Sequence, residues 1–97
     1  MNNVAQLQKA IRDLHSCDTT HVQSVPVYEA CDGKVIWDGD VEVFLLKNHP
    51  RAKRAYAWNY RDDFGKSRHI EVLGVPPVNS AADAVRAAFV VESEKQK

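Results

Sequence analysis

Apolar residues recur at threes and fours near the two ends of the chain and at alternate positions between them. Val4, Leu7, Ile11 and Leu14 are separated by Gln6, Gln8, Lys9, Arg12 and Asp13, the spacing of an amphipathic helix. Asn2 or Asn3 can cap it by accepting a free backbone N–H. The polar run from Ser16 to Thr20 then reads as a loop. At the other end Ala81, Ala84, Val85, Ala88 and Phe89 share one side of a second helix, ahead of a polar tail from Glu92 to Lys97. Ser80 with Asp83 opens this helix as a capping box with Asp in place of Glu.

Between the helices the period is two. Val25, Val27 and Tyr28 favour a strand, and Pro26 within it demands an edge position or a bulge. Asp32-Gly33 supplies a tight hairpin turn. Val35, Trp37, Val41, Val43 and Leu45 all fall on odd positions of one long strand, with Gly39 marking a possible bulge site. After a loop over Lys47 to Lys53, Ala55-Tyr56-Ala57-Trp58-Asn59-Tyr60 alternates small and aromatic residues. A turn at Arg61 to Lys66 and a strand from Ser67 to Val75 follow, ended by Pro76-Pro77.

This order predicts an α+β fold, an antiparallel β-meander of about four strands with an N-terminal and a C-terminal helix packed on one face. At 97 residues, 44% hydrophobic and 27% charged, the chain has the size and composition of one folded domain over residues 1–97. Thirteen Lys plus Arg balance thirteen Asp plus Glu, so no net field draws the molecule to nucleic acid or an anionic membrane. The first residues lack the basic and apolar run of a secretory leader, and no stretch has the length of a membrane span, so a cytoplasmic location is expected. Cys17 and Cys31 are accordingly expected to be reduced.

Side-chain parity then assigns the faces. With Trp58 opposite His69, Tyr56 opposite Glu71 and Phe44, and Glu42 opposite Trp58, Val43, Leu45, Ala55, Ala57, Ile70 and Val72 form the core face. Glu42, Phe44, Tyr56, Trp58, Tyr60, His69, Glu71 and Leu73 gather on the other, an open aromatic surface set with carboxylates and a histidine. Such a patch marks an interface or a ligand site. Homodimerisation or docking of another protein is the first expectation for it. The alternative is a small-molecule or enzymatic pocket in which Tyr56 and Trp58 stack on a flat or cationic ligand while Glu42 or Glu71 meets its charge. Glu42, His69 and Glu71 are also the best placed residues for proton transfer, but without an accompanying nucleophile a structural role is favoured and no catalytic residue is assigned.

Other candidate chemistry is weaker. His15, Cys17 and His21 lack a second ligand pair at zinc spacing, so no metal and no cofactor is expected. Asp38 and Asp40, or Asp62 and Asp63, are ordinary turn carboxylates. Lys47, His49, Arg51, Lys53 and Arg54 form a basic loop that reads as a solvated turn; pairing sets it at the opposite end from Arg61, Lys66 and Arg68, where Asp62 and Asp63 offset the charge, so nucleic-acid binding is disfavoured.

Trp37, Val41-Glu42-Val43-Phe44, His49-Pro50, Ala52, Ala55-Tyr56-Ala57-Trp58, Pro76-Pro77-Val78 and Ala84-Val85-Arg86-Ala87-Ala88 give residues 35–88 a resemblance to small uncharacterised bacterial proteins carried on mobile integron gene cassettes. The resemblance implies a bacterial cytoplasmic origin and carries no functional residues. The element order also looks like a double-stranded-RNA-binding domain, but Ser80-Ala81-Ala82-Asp83-Ala84-Val85-Arg86 lacks the Lys-rich start of that family's last helix.

Overall fold

The computed structural model describes residues 4–76 and 78–95, with side chains described as far as residue 90. Its elements are α1 (Val4–His15), β1 (Thr19–Cys31), β2 (Lys34–Leu46), β3 (Arg54–Arg61), β4 (Ser67–Leu73) and α2 (Ala81–Lys95). The strands form one antiparallel sheet in the order β1-β2-β3-β4, the expected meander with a helix at each end. The proposed Asn2 or Asn3 cap and the Pro77 strand stop lie outside the described residues. Helix α2 continues to Lys95, past the expected start of the polar tail.

Local chemistry accounts for the boundaries. Asp32 and Gly33 both take positive φ, 53° and 80°, the backbone of a two-residue hairpin turn that matches strand twist. Ser80 Oγ accepts the Asp83 N–H at 3.1 Å, and Asp83 Oδ2 accepts the Asn79 N–H at 3.1 Å, so the start of α2 is capped reciprocally. In the β2–β3 loop, His49 Nδ1 accepts the N–H groups of Arg51 and Ala52 at 3.1 and 3.0 Å; the imidazole serves as a loop scaffold. Pro26 lies on β1, an outer strand, the place in a sheet that tolerates a residue without an N–H.

The register differs from the expected one by a single residue. Trp58 lies opposite Ile70 and Tyr56 opposite Val72, while Glu42, Val43 and Phe44 face Ala57, Tyr56 and Ala55. The two helices therefore meet opposite faces. Leu7 and Ile11 of α1 pack on Phe44, Ala55 and Ala57, whereas Ala81, Ala84 and Val85 of α2 pack on Val27, Val41, Val43, Tyr56 and Trp58. Placement of both helices on one face is thus corrected, because the period of two turns a one-residue slip into an exchange of faces. Gly39 is likewise no bulge. The register runs through it opposite Val27, and the irregularities fall between His21 and Gln23 and between Glu29 and Ala30.

Each helix covers what its side of β3 allows. Ala55 and Ala57 project no bulk, so Leu7 and Ile11 descend onto the backbone and become fully buried, contributing about 1.5–3 kcal/mol each. Leu14, at the end of the same stripe, remains 62% exposed. Helix α2 answers the bulky Tyr56 and Trp58 with alanines of its own, and a forked pair from Arg86 to Glu29, at 2.7 and 3.2 Å, fastens it to β1.

Ala57→Leu is expected to overpack the α1 side and cost about 1–3 kcal/mol, read as a lower urea midpoint with helical content partly retained.

Candidate functional site

The residues expected on one open surface are divided between the two covered faces. Glu42, Phe44, His69, Glu71 and Leu73 lie on the α1 side, and Tyr56, Trp58 and Tyr60 on the α2 side. Phe44 is 0% exposed and Tyr56 and Trp58 are 3% exposed, so no contiguous aromatic surface faces outward from them. Leu45, expected in the core, is 42% exposed, while Ala55 and Ala57 stand apart from Val43, Ile70 and Val72.

On the α1 side Glu42 is buried, and its carboxylate is held by two groups from β1. His21 donates Nε2–H to Oε1 at 2.8 Å, and the Ser24 hydroxyl donates to the same oxygen. His21 also tilts over the Phe44 ring, centroids 5.4 Å apart. The bulge at Val22 brings His21 and Ser24 to one face, which their odd spacing alone would not do. Serine, histidine and glutamate here do not form a nucleophilic relay. That chemistry places the imidazole between hydroxyl and carboxylate, whereas both donors here end on one oxygen. The arrangement satisfies a buried acid. His69 makes a separate pair with Glu71 at 3.3 Å, beside a shallow groove lined by Lys9, Asp13 and Leu14. Among the described residues, no group of three or more His, Cys, Asp or Glu side chains could hold a metal ion. Cys17 is buried and Cys31 exposed, both as free thiols.

The most developed concavity arises where two strands part. Strand β2 pairs with β1 along its whole length but with β3 only from Leu45–Arg54 to Glu42–Ala57. Continued, that register would set Val41 against Trp58, Asp40 against Asn59, Gly39 against Tyr60 and Asp38 against Arg61. Instead β2 turns away with the β1–β2 hairpin, opening a cleft of about 740 Å³ between Val35–Asp38, Trp58–Arg61 and the Val85–Phe89 side of α2. Its floor is the tilted pair Trp37 and Trp58, ring centroids 6.1 Å apart. Gly39 gives the floor room: a Cβ there would stand 3.0 Å from the Trp37 ring, closer than side chains ordinarily approach, so the indole would have to shift. Trp37 Nε1–H is buried without a hydrogen-bond partner among the described residues.

The rim is polar. Asp38 and Arg61 are exposed, with Asn59 and Ser67 nearby. Arg61 Nη1 donates to the Gly65 carbonyl at 2.8 Å, which sets the guanidinium against the β3–β4 turn. Asp62 fixes the turn itself: its carboxylate accepts the N–H groups of Phe64 and Lys66, both at 2.9 Å, and Arg68 Nε at 3.0 Å. The Arg68 hydrogen bond, then the Lys66 backbone N–H, hold the Asp62 carboxyl below the usual aspartate range. The basic residues of the β2–β3 loop lie at the far end of the sheet from this turn.

Of the expected site residues only Trp58 and Tyr60 line the cleft. Trp37, Asp38 and Arg61 were not among them, because the parting of β2 from β3 leaves no mark in the alternation of either strand. The nearest signal is Trp37-Asp38-Gly39, a bulky residue two positions before a glycine on the same face. No family model, curated protein or solved structure matches this chain. No helix among the described residues is long and apolar enough to cross a membrane.

Two outcomes test this geometry. Gly39→Ala is expected to tilt Trp37 off the floor, changing the tryptophan emission spectrum while far-ultraviolet circular dichroism is kept. The lowered Asp62 pKa contributes stability that is present above the ordinary aspartate range and lost as pH falls through it. Urea titrations should therefore show Asp62→Asn clearly weaker than the parent near neutral pH, the gap narrowing at about pH 3 and below.

Proposed function

We propose that this protein binds a small molecule in the cleft between β2, β3 and α2. The observation that carries the proposal is the interruption of the sheet: strands that pair up to Glu42–Ala57 separate around two indoles instead of closing. An apolar concavity open to the surface and floored by aromatic side chains is the kind of feature that marks a ligand site. The volume falls within the range of small-molecule sites, and the lining has their usual make-up, apolar walls with a few polar groups at the mouth.

Self-association through Phe44 and Tyr56 has less support, since α1 or α2 would have to leave before those side chains could touch a partner, and Trp58, 3% exposed, meets the outside only at the edge of the cleft. The cleft needs no such rearrangement.

The chain has two tryptophans and both floor the cleft, so intrinsic emission reports on this site alone. Titration with phenylacetamide, a neutral aromatic amide, is expected to change that emission saturably and to raise the melting temperature; about 1 kcal/mol of stabilisation moves the midpoint of a chain this size by about 4–8 °C. Trp37→Ala should abolish the shift in melting temperature. An unchanged midpoint and flat emission up to the solubility limit, with phenylacetamide and with a panel of aromatic metabolites, would remove the proposal.

A further inference from the structure

The charges at the mouth of the cleft specify what kind of molecule it takes. Asp38 and Arg61 occupy positions that the β2–β3 register, if continued, would place directly opposite each other. Directly opposed strand residues sit close enough for their side chains to meet, and opposite charges there normally pair. These two do not. Asp38 takes part in no ion pair or side-chain hydrogen bond among the described residues, and Arg61 uses Nη1 on the Gly65 carbonyl with its other donors unspent. The parting of the strands leaves Asp38 and Arg61 on the two banks of the cleft instead of opposite each other in a ladder.

Parity adds a second constraint. Asp38, Asn59 and Arg61 belong to the α1 side of their strands, whereas Trp37, Trp58 and Tyr60 belong to the α2 side. The cleft therefore passes through the plane of the sheet, with an apolar aromatic half under α2 and a charged half on the other side. A molecule filling both halves carries a flat apolar group at one end and, a short link away, both signs of charge at the other.

We propose that the cleft takes an aromatic zwitterion of the α-amino-acid type, the ring against Trp37, which Trp58 backs from beneath, the carboxylate on the Arg61 guanidinium and the ammonium on the Asp38 carboxylate. Each charge matches a group of opposite sign that the fold leaves unpaired, and a planar carboxylate suits the forked guanidinium. A purely anionic ligand leaves Asp38 facing a like charge, and a purely cationic one does the same to Arg61. This inference rests on the small-molecule reading of the cleft and adds the chemical class of its occupant.

Three probes that share a phenyl ring and a short chain separate the charges: L-phenylalanine, 3-phenylpropanoate and 2-phenylethylammonium. None competes with tryptophan emission. Exposed charge pairs add a few-fold in affinity each, so L-phenylalanine is expected to bind about three- to fivefold more tightly than either singly charged analogue. Asp38→Asn should erase its advantage over 3-phenylpropanoate, and Arg61→Gln its advantage over 2-phenylethylammonium, with circular dichroism confirming that both variants fold. If phenylacetamide binds and L-phenylalanine has no advantage over the analogues, the zwitterion is wrong and the small-molecule site stands. Either singly charged probe binding as tightly as the amino acid also overturns it, as does an advantage that survives both substitutions. Silence from all four probes overturns the zwitterion together with the site.

Discussion

Strand β3 has no solvent face between Ala55 and Trp58: Ala55, Tyr56, Ala57 and Trp58 are all buried, the alanines toward α1 and the aromatics toward α2. Two cores share this one strand. On one side the absence of bulk lets Leu7 and Ile11 settle against the sheet; on the other, rings fill the space and the covering helix must itself be lined with Ala81, Ala84 and Val85. The alternation of small and large along four residues thus decides which helix can lie where. A sheet covered on both sides is unusual for an antiparallel meander, where one face is commonly left to water, and here it follows from residues that leave neither side of β3 polar.

The same strand is where order gives way. Beyond Ala57 its partner on one side departs, and the interior is completed by two indoles and one helix rather than by a neighbouring strand. The outer edges of the sheet are treated differently. β1 carries a proline and a bulge near its middle and start, both of which discourage pairing with another chain. The inner gap has no such protection, and its two banks carry charge of opposite sign, an arrangement suited to receiving a molecule rather than repelling one.

How far the sequence reveals all this depends on the range of the physics involved. Helices, strands, the Asp32-Gly33 turn, the Ser80 cap and the edge position of Pro26 are local matters, written in spacings of two to four residues, and they are legible. Register is not local. It is set by the geometry of the β2–β3 loop, where His49 binds two backbone N–H groups, and by the Asp62 turn, neither of which residue types alone specify. A displacement of one residue was enough to divide Tyr56, Trp58 and Tyr60 from Glu42, Phe44, His69 and Glu71. The partner of Glu42 was hidden for a related reason: His21 reaches it across a bulge. Trp58 and Tyr60 remain in the candidate site because any register leaves them at the end of β3, while Trp37, Asp38 and Arg61 join them only through a separation of strands that alternation cannot express.

The Asp32-Gly33 turn has a consequence of a different kind. Every strand in this sheet pairs with its neighbour in sequence, and the longest ladder closes around a two-residue loop whose backbone already matches the twist of the arms. Closing a loop that short costs little chain entropy, and hairpins zip within microseconds. The β1–β2 ribbon can therefore assemble before β3 arrives, with its curvature set by its own turn and bulges. β3 pairs with that ribbon only over Glu42 to Leu45, so the longest ladder of the sheet and its opening share one strand, β2.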